Sequence, residues 1–157
     1  MKKNNKGFTV VEMGVSFCLI FTICILLFQV ILSLKELYIS SDIETTLLNK
    51  QGILLNKIYK DFEKKGLAKV PTSCGLNCLE FSYADNSTAQ LIIDTYNKTI
   101  TYNDYTWKLD NASTVNDLVS SSGQITGYGK YFKIKVNVTN KLLGTKDYGL
   151  DIFYSVS

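Results

Sequence analysis

From Met13 to Leu34 the chain carries no charged residue, and this run constrains its architecture more than any other stretch. At about 1.5 Å per helical residue it covers a hydrocarbon core of about 30 Å, so it predicts a helix able to cross a bilayer. A secretory signal peptide is one alternative. Its apolar region is shorter, roughly 7–15 residues, and an Ala-x-Ala-like site follows it; neither holds here. A plain single-pass anchor is the other. Met1 to Lys6 are polar and basic, and the positive-inside rule then predicts a cytoplasmic N-terminus with everything beyond the run outside. Cys18 and Cys24 lie inside the run and serve there as small apolar fillers.

A plain anchor leaves Glu12 unexplained. A carboxylate near the middle of hydrocarbon costs about 2.5–3.5 kcal/mol or more, and less near an edge. Its own apolar segment offers it no evident partner. Just upstream, Gly7-Phe8 places a small residue before an apolar one at the foot of the helix, which suits a peptidase working at the cytoplasmic membrane surface. Cutting there would free an α-amine on Phe8.

The stretch Lys6-Gly7-Phe8-Thr9-Val10-Val11-Glu12 resembles the processing site of the type IV pilin and pseudopilin family. The resemblance implies cleavage after Gly7 by a prepilin peptidase and methylation of the new Phe8 amine. It also implies a charge pair in which Glu12 meets the Phe8 amine of a neighbouring subunit and sets axial register. The implied partners are the peptidase, other pilin or pseudopilin subunits, the assembly platform protein of the cytoplasmic membrane, and membrane lipid. Some major pilins carry a proline in this helix; here there is none, so no kink is expected.

Past Leu34 the pattern turns amphipathic without a helix breaker. Leu47, Leu48, Leu54, Leu55, Ile58 and Phe62 recur at helical spacing, with Asp42, Glu44, Lys50, Lys57, Lys60, Asp61, Glu63, Lys64 and Lys65 between them. Lys64-Lys65-Gly66 supplies basic residues for the negative helix end and a glycine cap, so one helix from Phe8 to about Lys65 is predicted. Gly52 within it costs roughly 1 kcal/mol relative to alanine and marks a bend or a close contact.

Thr72 to Cys78 reads as a loop with two cysteines. Outside the membrane a Cys74–Cys78 disulfide can persist and would pin the crossover from helix to sheet. A metal site there would need two further ligands, in a chain without histidine. The rest is strand-like. Leu79, Phe81 and Tyr83 alternate; Leu91 to Asp94 and Thr99 to Tyr102 form a hairpin about Tyr96-Asn97-Lys98; Tyr105, Trp107 and Leu109 alternate. Asp110 to Gly129, rich in Ser, Asn, Thr and Gly, reads as a long loop. Phe132, Ile134, Val136 and Val138, then Tyr148, Leu150, Ile152, Tyr154 and Val156, make two longer strands joined by Thr139 to Asp147.

The expected fold class is therefore α+β. A long N-terminal helix, membrane-spanning in its first half and amphipathic in its second, packs on a C-terminal antiparallel β-sheet, a lollipop like that of the pilins. The predicted divisions are a leader over 1–7, a transmembrane and assembly helix over 8–34, an amphipathic stem over 35–68 and an extracytoplasmic sheet domain over 69–157.

Composition narrows the function. The 157 residues hold 17 Lys+Arg against 14 Asp+Glu, and loss of Lys2, Lys3 and Lys6 with the leader would balance the chain. Every base is lysine, so no guanidinium fork is available, and a balanced chain argues against electrostatic capture of nucleic acid as its main business. Lys130, Lys133, Lys135, Lys141 and Lys146, with Tyr131 and Tyr148, offer a weak basic-aromatic surface for DNA. A solvated face is the better reading, because Lys133 and Lys135 alternate with core residues and lysines protect exposed strands from pairing. Without histidine the commonest general base and metal ligand are missing. Gly123 to Lys130 fails as a phosphate loop, since Gln124 and Tyr131 stand where glycine and Ser or Thr are needed. No catalytic role, cofactor or metal is expected.

The resemblance implies a structural subunit of a type IV pilus or of a secretion or DNA-uptake (competence) pseudopilus, and Ile58-Tyr59-Lys60-Asp61-Phe62 near the stem end resembles the minor subunits of that family. Such a subunit would sit in the cytoplasmic membrane with one span and reach the cell surface on assembly. The competing class is a membrane-tethered extracytoplasmic binding module that never polymerises.

Overall fold

The structure is a computed structural model, and it describes residues 9–125 and 129–156. The chain divides into two compact units, residues 1–42 and 43–157. Helix α1 runs unbroken from Val10 to Lys65. Among the described residues it is the one helix long and apolar enough to cross a membrane, with a mean hydropathy of 2.8 in its most apolar window and nothing in that window buried by protein. In the second unit the same helix buries Leu47, Leu54, Ile58 and Phe62, spaced seven, four and four residues apart, which is the stripe expected of a helix covering a sheet. Leu48 lies off that stripe and is exposed, and Leu55 is half-buried.

Gly66 ends the helix. Its φ of 63° lies in the left-handed region, and its N–H donates to Phe62 O at 3.1 Å, closing the last turn in the manner of an αL cap. The chain then joins the sheet directly, through Ala84 N–H to Gly66 O at 2.9 Å and Ala68 N–H to Ser82 O at 2.9 Å. Gly52 is neither a bend nor a close contact: the helix continues through it, and a side chain added there would meet open space.

Five strands follow as a meander: β1 (Thr72–Gly75), β2 (Cys78–Ser82), β3 (Thr88–Asp94), β4 (Thr99–Tyr102) and β5 (Tyr105–Lys108), each antiparallel to the next. Thr72 to Cys78 is thus a strand and a tight turn, not the expected loop. The polar stretch after Asp110 is also strand in large part, with β6 (Ser113–Val115) and β7 (Val119–Ile125). The chain continues into β8 (Gly129–Val136), β9 (Val138–Asn140) and β10 (Leu150–Val156). In place of a single sheet there are, among the described residues, three: the meander, a three-stranded sheet ordered β10-β8-β7, and a β6-β9 pair.

Phe62 joins the layers. Its ring lies 5.3 Å from that of Phe81 on β2, 6.0 Å from Phe132 on β8 and 4.9 Å from Tyr154 on β10, with Phe62 itself 1% exposed. Replacing such a ring with alanine costs about 3–5 kcal/mol. Where β6 meets β9 the two fully buried polar side chains, Ser113 and Asn140, are hydrogen-bonded. Asn140 Nδ2 donates to Ser113 Oγ at 2.9 Å and to Asp110 Oδ2 at 3.2 Å, while Leu142 N–H donates to Asn140 Oδ1 at 2.9 Å.

Candidate functional site

The expected cleavage junction, Gly7 and Phe8, and with it the amine side of the charge pair, lies outside the described residues. Glu12 is inside them, and its surroundings differ from the expectation of a carboxylate without a local partner. Thr9 N–H donates to Glu12 Oε2 at 2.9 Å, the Thr9 hydroxyl donates to the same oxygen at 3.0 Å, and Glu12 N–H donates to Thr9 Oγ1 at 3.2 Å. This is a capping box: Thr9 is the N-cap, Glu12 stands three residues later, and each satisfies a backbone N–H that the first helical turn leaves orphaned. Thr-x-x-Glu before an apolar run is legible in the sequence as that signature. The carboxylate also stands where the positive end of the helix dipole favours it.

Cys74 and Cys78 are joined as a disulfide with a Cα–Cα distance of 5.2 Å. They flank the β1–β2 turn, where the pairing register shifts between Ser73 and Gly75. Cys18 and Cys24 are free and exposed along the apolar helix. Among the described residues no group of three or more His, Cys, Asp or Glu side chains is placed to hold a metal ion.

A polar seam that sequence reasoning missed ties the helix to the meander. The Tyr102 hydroxyl donates to Asp61 Oδ2 at 2.9 Å, and the Tyr83 and Tyr102 hydroxyls are 2.6 Å apart. Lys65 lies 3.9 Å from Asp61 and 5.0 Å from the Tyr83 ring centroid, while Lys57 pairs with Asp104 at 3.4 Å. An open depression of about 340 Å³ lies over the seam, lined by Lys57, Lys60, Asp61, Lys65 and Tyr102 with the β4–β5 turn. Burial chiefly pushes the Tyr83 phenol up to about 12, and the nearby negative charges of Asp61 and Asp85 add to this. Tyr102 is pushed up too, by burial first and then by its bonds to Tyr83 and Asp61. Both phenols therefore stay protonated near neutral pH and act as hydrogen-bonding struts. Asp61 sits among helix-surface charges in the sequence, and nothing in its spacing announces a tyrosine partner 41 residues on.

Of the lysines and tyrosines weighed as a DNA surface, Tyr131, Lys133 and Lys135 share the outer face of β8, and the others lie off that face. Tyr148 is 1% exposed, in the core. Lys146 pairs with Glu44 on the helix, which holds the Glu44 carboxyl below its ordinary value. Lys133 pairs with Asp151 across the three-stranded sheet at 3.4 Å, on the outer face where Tyr131 covers Gly123 and its ring lies 5.6 Å from that of Phe153. Lys135 is exposed on β8, and Lys141 follows β9.

Compared with known proteins, the chain matches no family model, no curated protein and no solved structure.

Proposed function

We propose that this chain is a structural, minor subunit of a type IV pilus or of a secretion or DNA-uptake pseudopilus, processed by a prepilin peptidase and anchored in the cytoplasmic membrane with its sheet unit outside. The observation that carries the proposal is an order of features in one chain. A lysine-bearing tip, Gly7-Phe8, and Glu12 in the fifth position after the cut precede an uncharged run long enough to span. The α+β layout, a long N-terminal helix followed by antiparallel sheets, supports it. The lollipop arrangement, the N-in orientation and polymerisation through side-by-side helices are parts of the same proposal.

A second reading, a membrane-tethered module that does not polymerise, is favoured by one specific observation. The Thr9–Glu12 capping box gives the carboxylate a local task that requires no second subunit.

Intact-mass and N-terminal analysis of the protein from native membranes tests the first reading. The expected result is a chain that begins at a methylated Phe8. A mature protein that keeps Met1 to Gly7 in cells with an active prepilin peptidase would overturn it. Gly7→Val is expected to block the cut by crowding the peptidase.

A further inference from the structure

Among the described residues of the unit formed by 43–157, two large apolar side chains are almost wholly exposed, Leu76 at 95% and Tyr96 at 92%; the next, Val119 and Leu142, stand at 62% and 61%. An exposed leucine alone carries no message. The position and anchoring of this pair do. Leu76 tips the β1–β2 turn and Tyr96 the β3–β4 turn, and alternate turns of a meander leave the sheet at the same end. The two turns are neighbours, because Ile93 N–H donates to Asn77 O at 2.9 Å and Cys78 pairs with Ile92. With strands about 4.8 Å apart, the turns are centred roughly 10 Å from each other. Ile92, 40% exposed, extends the apolar surface beside Cys78.

Each tip is held from several sides. The Leu76 turn is clamped by the Cys74–Cys78 disulfide and by Asn77, which sits at φ 56°. Asn77 Nδ2 donates to Asp117 Oδ1 at 2.7 Å, and its Oδ1 accepts from Leu118 N–H at 3.1 Å. The Tyr96 turn is closed by Asp94, whose two carboxylate oxygens accept from Asn97 N–H at 2.8 Å and Asn97 Nδ2 at 2.6 Å. Lys98, at φ 54°, bonds back to Asn111 O at 2.8 Å. Side chains fixed before an encounter lose less freedom on binding, and tyrosine is among the side chains that carry most of the binding energy at protein interfaces.

We propose that Leu76 and Tyr96 form a preorganised two-pronged docking surface for a different polypeptide, one that offers apolar pockets roughly 10 Å apart with basic groups at their rim. The charge around the tips selects this occupant. Asp94 and Asp117 flank the tips; of the lysines at this end, Lys98 is turned away onto a backbone carbonyl and Lys108 lies beyond β4 on the edge strand, beside Asp110, so an anionic lipid surface is disfavoured and a lysine- or arginine-rimmed cleft is favoured. The inference stands whether or not the chain polymerises.

The test places a photo-reactive phenylalanine analogue at position 76, at position 96 and, as a control at another exposed apolar residue, at position 142 of the full chain in native membranes. The expected result is one other polypeptide cross-linked from 76 and from 96 but not from 142. That polypeptide, once purified, should bind the detergent-solubilised full chain, with Leu76→Asp and Tyr96→Ala each weakening binding about tenfold or more while the melting temperature holds. Reduction of Cys74–Cys78 should weaken it in the same direction. Equal adducts from 142, adducts to lipid, a self-adduct alone, or affinity indifferent to Leu76→Asp and Tyr96→Ala would overturn the proposal.

Discussion

Tyr102 stands between a carboxylate and a second phenol: its hydroxyl donates to Asp61 Oδ2 at 2.9 Å, so the 2.6 Å contact with Tyr83 is one in which Tyr83 donates and Tyr102 accepts. A helix residue and two strands thus share one short chain of protons. Tyr102→Phe removes the middle link and leaves the buried Tyr83 hydroxyl without its acceptor. The expected loss is about 1.5–3 kcal/mol, the range for a bond to a charged group, and Tyr83→Phe should cost less, about 1 kcal/mol. Urea unfolding of the two variants beside the unmodified chain measures both. Equal stability of Tyr102→Phe and the parent would show that water replaces the link.

The same pair sets an alkaline limit. A phenol whose folded value is raised from 10 to about 12, as for Tyr83, favours folding fully below pH 10, and that contribution is lost as pH rises from 10 through about 12. Stability should therefore fall across that window, and Tyr83→Phe should flatten the fall. Absorbance at the phenolate band should show Tyr83 and Tyr102 ionising late, together with unfolding. Early ionisation of every tyrosine would contradict the burial of this pair.

Two glycines predict opposite outcomes. At Gly149 an added Cβ would collide with the Val136 carbonyl oxygen and lie 2.8 Å from Val138 N, so Gly149→Ala must displace backbone and should cost about 3 kcal/mol or more. At Gly52 the added methyl meets nothing, and Gly52→Ala should stabilise the helix by up to roughly 1 kcal/mol. Thermal melts of both variants decide the matter.

Closing so short a loop, Cys74–Cys78 contributes on the order of 2 kcal/mol through the unfolded chain. The expected result is a mass gain of about two daltons on reduction, since each bridge lost takes up two hydrogens, with the core still folded. Free thiols in protein handled without reductant from its native compartment would count against the bridge.

Glu12 can be tested for both of its tasks at once. Glutamine can keep the capping bonds to Thr9 while removing the charge, whereas Thr9→Ala keeps the charge and removes the cap. Under the charge-pair proposal, Glu12→Gln and Glu12→Ala should both be depleted from sheared filaments relative to membranes, with Thr9→Ala close to normal. A cap with no further task predicts the reverse: Glu12→Gln silent, and Thr9→Ala resembling Glu12→Ala.

Where one side chain in two is apolar, the strands were legible. Leu79-Phe81-Tyr83 and Phe132-Ile134-Val136-Val138 alternate and are buried as expected. Strand β7 was illegible for a physical reason. Ser120 and Ser122 pair with Ile134 and Phe132, so serines occupy its core-facing parity and the apolar Val119 lies on the opposite one. Its backbone pairing to β8, rather than side-chain pattern, makes it a strand. The three residues of β6 are too few to show a period, and their place is held by the Asp110–Asn140 bonds between distant segments. At the helix start, attention to the cost of the Glu12 charge hid a neighbour three residues away.

The meander and the sheet that follows differ in how their strands are assembled. Every pairing from β1 to β5 joins strands adjacent in sequence, so that sheet can zip up as its residues become available. The second sheet cannot finish until Leu150–Val156 arrives to lie against β8, and Tyr154, the nearest of the rings about Phe62, belongs to this strand. During synthesis, the central aromatic cluster therefore stays incomplete until Leu150–Val156 emerges. A truncation before Leu150 should leave a chain with much of its secondary structure and an open, adhesive core, a target for quality-control proteases rather than a shortened working protein.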